Sequence, residues 1–364
     1  MIAKLTALPF YAKLSLTLVG LIALGFLIIA GKDVLDPLMF GFLFAILLLP
    51  VSNFFERKCR LPRSAGAFLS ILLFVFLVGG IMYLVATQIS RLADDWPMLK
   101  KQIDQSTADA QGWIQSTFHM NMDKQMDYIH STTSKLMSSG TSVIGHTFLS
   151  VSGMLLFFAF IIIFTFLIMF YRKLLFQFVL KAFGDEHEDT VHDIAENVQS
   201  ILRQYILGLL LEMVIVAGIA CTVFWIVGIR YAALLGIITG LFNIIPYVGI
   251  FTALALSTLI TFATGALTKA LIVAISVIAI HAVDANVLLP IIVGSKVRLN
   301  ALITFLGILL GEMLWGLSGM FLSIPTIAIM KIIFDRIESL KPWGYLLGGD
   351  YEYKKSAEKK MKTE

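Results

Sequence analysis

FLSVSGMLLFFAFIIIFTFLIMFY, residues Phe148 to Tyr171, runs for 24 residues without a single charge. As an α-helix rising about 1.5 Å per residue it is about 36 Å long, enough to cross a hydrocarbon core of about 30 Å. The stretch is not alone. Ala65–Thr87, Tyr205–Gly228, Tyr231–Phe262, Leu267–Leu289 and Ala301–Phe334 are as apolar, and shorter windows cover Leu14–Ala30 and Val34–Phe55. Only 14% of residues are charged, which places the chain in the polytopic membrane class. Lipid offers no hydrogen bonds to the backbone, so spans of this apolarity are helices. Ten-residue alternating segments are absent, which excludes an outer-membrane barrel.

The expected architecture is therefore all-α, with about eight membrane segments and a small helical insert outside the cytoplasm. Leu14–Ala30 and Val34–Phe55 are separated only by Gly31-Lys32-Asp33, so they form a hairpin. The first is read as a retained helix, because Ile28 and Ala30 do not make a small-x-small cleavage site. Arg57, Lys58, Arg60 and Arg63 make the densest basic cluster beside any span. Basic loops stay inside, so this cluster and both termini are expected in the cytoplasm. Residues 1–87 then hold three membrane helices, and 88–147 the extracytoplasmic insert. Within it Leu92, Trp96, Leu99 and Ile103 predict one amphipathic helix; Met122, Met126 and Ile129 predict a second, with a flexible return near Ser131–Ser142.

Residues 148–340 form the main membrane region, and 341–364 a basic cytoplasmic tail. Over 185–203, His192, Glu196, Gln199 and Arg203 share one face while Ile194, Val198 and Ile201 share the other. That pattern predicts an amphipathic helix along the inner interface leading into the fifth span. The formal charge of +4 sits between spans and in the tail, as in a membrane protein rather than a nucleic-acid binder. No metal-ligand spacing, P-loop, Gly-x-Ser-x-Gly or His-Glu-x-x-His occurs, so no metal, cofactor or enzymatic activity is expected.

Two later windows are too long for one ordinary crossing. Tyr231–Phe262 is interrupted by Asn243-Ile244-Ile245-Pro246-Tyr247-Val248-Gly249, and Ala301–Phe334 by Gly311, Gly316, Gly319 and Pro325. Proline deletes a helix hydrogen bond and glycine permits a bend. Unwound backbone at membrane depth survives only inside protein or beside a water-filled cavity. The interrupted segments either both cross or both re-enter. Gly236-x-x-x-Gly240 and Gly307-x-x-x-Gly311 are small-xxx-small pairs that let helices approach closely.

Ionisable side chains inside spans are expensive, by roughly 2.5–3.5 kcal/mol on insertion scales, and default to functional candidates. Here they are Glu212, His281, Asp284 and Glu312. His281 and Asp284 are three apart and share a helix face, which suits proton transfer or cation binding. The plainer alternatives are a buried polar partner for Asp284, an interhelical hydrogen bond for His281, and snorkelling or ion pairing for Glu212 and Glu312. Asn286 falls opposite Asp284 on a regular helix and joins it only if the helix unwinds, for which Pro290 and Gly294 give grounds. Asn243, Asn286 and Tyr247 are candidate solute hydrogen-bonders. Pro246, Gly249, Pro290 and Gly294 are the candidate backbone breaks.

Three segments together resemble the autoinducer-2 exporter family of bacterial permeases. They are Gly240–Gly249 with its Asn-Ile-Ile-Pro-Tyr-Val-Gly core, Asp284–Lys296, and Leu314–Lys331 with Gly316, Gly319, Met320, Phe321 and Pro325. The layout of the whole chain is similar as well. Two departures stand out: Asp284 replaces the family's usual glutamate, and Ala301 a commonly seen proline. The resemblance implies a bacterial inner-membrane permease that exports a small polar solute such as a signalling molecule, or exchanges a monovalent cation for protons. A channel-like pore at an oligomer axis is the remaining alternative. With the glycine-lined faces it also implies a homo-oligomer, a pentamer among the options, with membrane lipid as the other partner.

Overall fold

The computed structural model describes residues 9–94, 101, 105, 123–245, 248–264, 267–294 and 299–348. Every element among them is helical. The principal helices are α1 (Phe10–Ala30), α2 (Lys32–Lys58), α3 (Arg63–Asp94), α4 (Asp123–Phe183) and α5 (Glu188–Ile226). They continue with α6 (Ala232–Phe242), α7 (Val248–Thr264), α8 (Leu267–Val283), α9 (Ala301–Trp315), α10 (Leu317–Arg336) and α11 (Lys341–Gly348). Among the described residues seven helices are long and apolar enough to cross a membrane, and α6, α7 and α9 are shorter apolar helices. The protein is an all-α polytopic membrane protein.

Two helices are longer than the sequence pattern predicted. α4 runs unbroken from Asp123 to Phe183, so Ser131–Ser142 is helical rather than a flexible return. The segment holds no proline, and isolated glycines cost a helix only about 1 kcal/mol each. Likewise the amphipathic stretch 185–203 does not end before the fifth span. α5 carries both, because no proline or glycine separates Glu188 from Leu207. The predicted amphipathic helix around Leu92–Ile103 lies mostly outside the described residues.

Contacts divide the chain into two units. The first joins Met1–Pro50, Phe157–Leu202 and Arg298–Glu364; the second joins Val51–Leu156 and Arg203–Val297.

In the first unit α9 and α10 fold back on each other at Gly316, whose φ of +65° suits glycine. A Cβ on Gly311 would stand 2.3 Å from the Gly319 carbonyl oxygen, so only glycine permits this approach. The Ser323 hydroxyl lies 2.7 Å from the Gly307 carbonyl oxygen across the same seam. At the hairpin's tip Trp315 Nε1 donates to the Ile28 carbonyl of α1 (3.0 Å). At its mouth the Asn300 amide donates to the Leu347 carbonyl of α11 (2.8 Å). Because α11 directly follows α10, the segment enters and leaves on one side.

The second unit behaves the same way. α5 and α6 pack antiparallel, with Gly236 so close that a Cβ would lie 2.5 Å from the Cys221 nitrogen. The chain breaks after Phe242, and α7 returns towards the end where α6 began. The tie is Lys269 Nζ, at the start of α8, which donates to the Gly228 carbonyl just after α5 (2.9 Å). Both interrupted windows are therefore hairpins whose two ends lie on one side. Fully buried Val216, Phe224, Leu234, Val273 and Val277 hold the hairpin against α5 and α8.

This topology has a direct test. In a background with Cys59 and Cys221 replaced by serine, Arg230→Cys and Thr268→Cys are expected to react with a membrane-impermeant maleimide from the same side. Labelling from opposite sides would mean that α6 and α7 together cross.

Candidate functional site

The unwound residues after α6 are the centre of the second unit. Gly240 lets α6 touch α5, since a Cβ there would lie 2.6 Å from both the Met213 carbonyl oxygen and the Ala217 Cβ. Three residues on, where the helix stops, Asn243 reaches Glu212 one position before Met213. Its Nδ2 donates to Glu212 Oε1 at 3.2 Å and to Asp284 Oδ2 at 3.0 Å. One amide thus bridges two carboxyl groups from α5 and from the end of α8. The two accepting oxygens, 3.2 and 3.0 Å from one nitrogen, are therefore no more than about 6 Å apart. Glu212 is 3% exposed and Asp284 6%.

Two backbone features put Asp284 and Asn243 there. Beyond Val283 the α-helix widens into a π turn over Asp284–Leu288, closed by the Leu289 amide on the Asp284 carbonyl. π turns inside α-helices recur at functional sites because the wider turn redirects side chains and loosens carbonyl pairing. A second π turn covers Pro290–Gly294. On the other side of the site, Gly249 opens α7 against the end of α6. A Cβ there would be 2.1 Å from the Phe242 carbonyl oxygen.

Several buried polar atoms of this unit have no hydrogen-bond partner. They are Glu212 Oε2, Asp284 Oδ1, His281 Nε2, Ser257 Oγ and Thr258 Oγ1. Such atoms normally cost about 1–3 kcal/mol each, so the unpaired oxygens of Glu212 and Asp284, on the two acids that share Asn243, mark a place for water, an ion or a ligand. His281 shows how the chemistry is arranged. Its Nδ1 is 2.9 Å from the Val277 carbonyl, which can only accept, so Nδ1 carries the hydrogen. In the neutral ring Nε2 is then an acceptor, on the same helix as Asp284 and one turn before it.

The sequence-based candidates are thus placed unevenly. Glu212, Asn243 and Asp284 come together, with His281 buried beside Asp284 along α8. Asn286 is exposed, and its Nδ2 donates to the Ala282 carbonyl of its own helix (2.7 Å), so the π turn does not bring it to the pair. Glu312 belongs to the first unit and is exposed. Tyr247 and Pro246 lie outside the described residues. Ser257 and Thr258 were not singled out from sequence, although two adjacent hydroxyls within an apolar helix were the available signal.

Comparison with known proteins identifies the family. The sequence model described as "AI-2E family transporter" matches residues 16–339, which is most of the chain. YrrI of Bacillus subtilis (strain 168) is 26% identical over 317 residues, covering 83% of this chain and 86% of its own. YueF of the same organism is 27% identical, covering 84% of each. A Haemophilus influenzae relative is 25% identical, covering 93% of this chain and 97% of its own. All three bear the name "Putative transport protein". The chain belongs to the AI-2E family of transporters.

Proposed function

We propose that this AI-2E family member is a secondary transporter of the bacterial inner membrane, exporting a small polar solute against inward proton flow through the Glu212–Asn243–Asp284 site. The observation that carries this reading is the pair of buried carboxyl groups sharing one amide at a helix break. A carboxylate oxygen only accepts hydrogen bonds, so two buried carboxyl groups served by one amide favour a proton on one of them or a cation beside them. Two bare charges about 6 Å apart repel by about 3 kcal/mol even at an effective dielectric near 20. A site that must hold one positive charge, and can exchange it, is what ion-coupled transport requires. Broken helices add free carbonyls and helix ends for a polar solute, in the manner of other secondary transporters. Asn243 is the link: an amide that lets go of a carboxyl group can turn to a solute.

The same observation supports a second reading, Na⁺/H⁺ exchange, in which sodium replaces the shared proton. Purified protein in proteoliposomes with an internal pH dye separates the two. Autoinducer-2 loaded inside is the first probe and a sodium pulse the second. Efflux of the loaded solute that follows an imposed proton gradient and saturates supports export. Sodium-evoked proton movement without solute flux supports exchange. Single-channel conductance in a planar bilayer would overturn both in favour of a pore.

A further inference from the structure

In the first unit, the tip of the α9–α10 hairpin adjoins a buried carboxyl group that the transport site does not use. Trp315, the last residue of α9, is tied to the Ile28 carbonyl near the end of α1. α2 starts just after α1 ends, so α2 and α10 both begin at this end and run parallel. Their packing shows in the stacked rings of Phe40 and Phe321, 5.5 Å between centroids and 7° between planes. Phe157 of α4 closes that layer from the side, 5.9 Å from Phe40. One turn back along both helices, Asp36 of α2 faces Ser318 of α10. Asp36 is 4% exposed, and its Oδ1 is buried without a hydrogen-bond partner.

An isolated charge out of water is very costly, so a buried carboxyl group is paired, capped or neutralised by a bound ion. Pairing does not serve Asp36. Lys32, one turn earlier, is exposed and acts on it through its charge rather than a contact. Asp33 on α2 and Glu312 on α9 are exposed and of the wrong sign. α1 has no charge after Lys13, α4 none from Phe148 to Tyr171, and α10 none before Lys331. Capping does not serve it either. The first amides of α10 have no partner within their helix, yet Oδ1 takes none of them. Oxygens for a bound ion are at hand. The Ser318 hydroxyl is one. The Asp33 carbonyl is another, because Pro37 has no N–H to give it and Asp33 shares a helix face with Asp36.

We propose that Asp36 is a second cation site, holding one exchangeable proton or sodium ion on Oδ1 at the tip of the α9–α10 hairpin. Both ions offer the same chemistry, one positive charge on a carboxylate oxygen shielded from water. The site is within reach of the medium. Asp36 lies five residues beyond Gly31, about 7.5 Å along the helix, so an ion enters from the end where α1 meets α2. The site does not depend on the transport reading, because none of its residues belongs to the Glu212–Asn243–Asp284 cluster.

Infrared difference spectroscopy of the full-length protein in lipid, with isotope-labelled aspartate, tests this. The label separates aspartate carboxyl bands from those of Glu212 and the other glutamates. Exposed aspartates titrate at about 3.9 and stay silent between about pH 6 and pH 9. The Asp284→Asn protein is the one measured, since Asp36 is then the remaining buried aspartate among the described residues. In choline medium, acidification across that window should produce one protonated aspartate per chain where the ion is a proton. A sodium pulse at about pH 9 should shift one aspartate carboxylate band where it is sodium. Adding Asp36→Asn should remove whichever response is seen. Because Asp284→Asn alone reads the native Asp36, the test stands even where the double variant does not fold. Absence of both responses in Asp284→Asn overturns the proposal and leaves Asp36 a permanently charged cap of α10. A response that survives the addition of Asp36→Asn overturns it as well.

Discussion

Asp284→Asn is expected to abolish ion-coupled flux in proteoliposomes, to background, while the purified protein keeps its helical content and thermal transition. The amide preserves the shape and can still meet Asn243, but it cannot take or release a proton at transport pH. Glu212→Gln should do the same, because the pair works only as a unit holding one exchangeable charge. Its thermal stability should equal or exceed that of wild type, since replacing one carboxyl removes like-charge repulsion from a buried site. Asn243→Leu is the contrasting case. It removes the donor to two buried acceptors at once, so stability should fall by about 2–4 kcal/mol, the order of two buried unsatisfied groups. If Asp284→Asn and Glu212→Gln both retained wild-type coupled flux, the site would not be the coupling site. Flux in inverted and right-side-out vesicles over pH 6–8 is the measurement.

Gly240→Leu should be equally severe by another route. A side chain there meets the Met213 carbonyl and Ala217, both part of α5, so neither can rotate away. Overpacking of this kind costs typically 1–3 kcal/mol. The functional loss should be larger than the stability loss. Moving α6 outward by about 1 Å stretches the 3.2 Å and 3.0 Å contacts of Asn243 beyond hydrogen-bonding range. Coupled flux should therefore fall by about a hundredfold, as misplacements of that size do at catalytic sites. Gly236→Leu, one turn away from the site side, meets Cys221 and should destabilise similarly. It should spare more of the flux, because it lies farther from Asn243. Thermal unfolding in detergent and the proteoliposome assay together read both quantities.

How much of this was written in the sequence differs from element to element. Hydropathy located the spans because burial in lipid constrains every residue of a 20-residue window. The positions of the breaks were legible for the same reason: proline and glycine within an apolar run have few other uses. Candidate residues Glu212, Asn243 and Asp284 could be named singly, since polar groups in spans are rare. Their meeting could not be read. It joins positions 31 and 41 residues apart through a glycine contact and a π turn, neither of which leaves a periodic signal. The continuity of α4 was not legible because Ser and Thr suggest loops, yet the stretch holds no proline to stop a helix.

The amino-acid order by itself determined that this is a helical membrane protein with two broken segments, because transfer of each side chain to lipid is a local, additive quantity. Only the tertiary structure decided that those segments turn back rather than cross, and which carboxyl groups share an amide. Both depend on single contacts between distant positions, Lys269 with Gly228, Asn300 with Leu347 and Asn243 with its two acids. Such contacts are fixed by how closely packed backbones approach, and no residue's own preference encodes them.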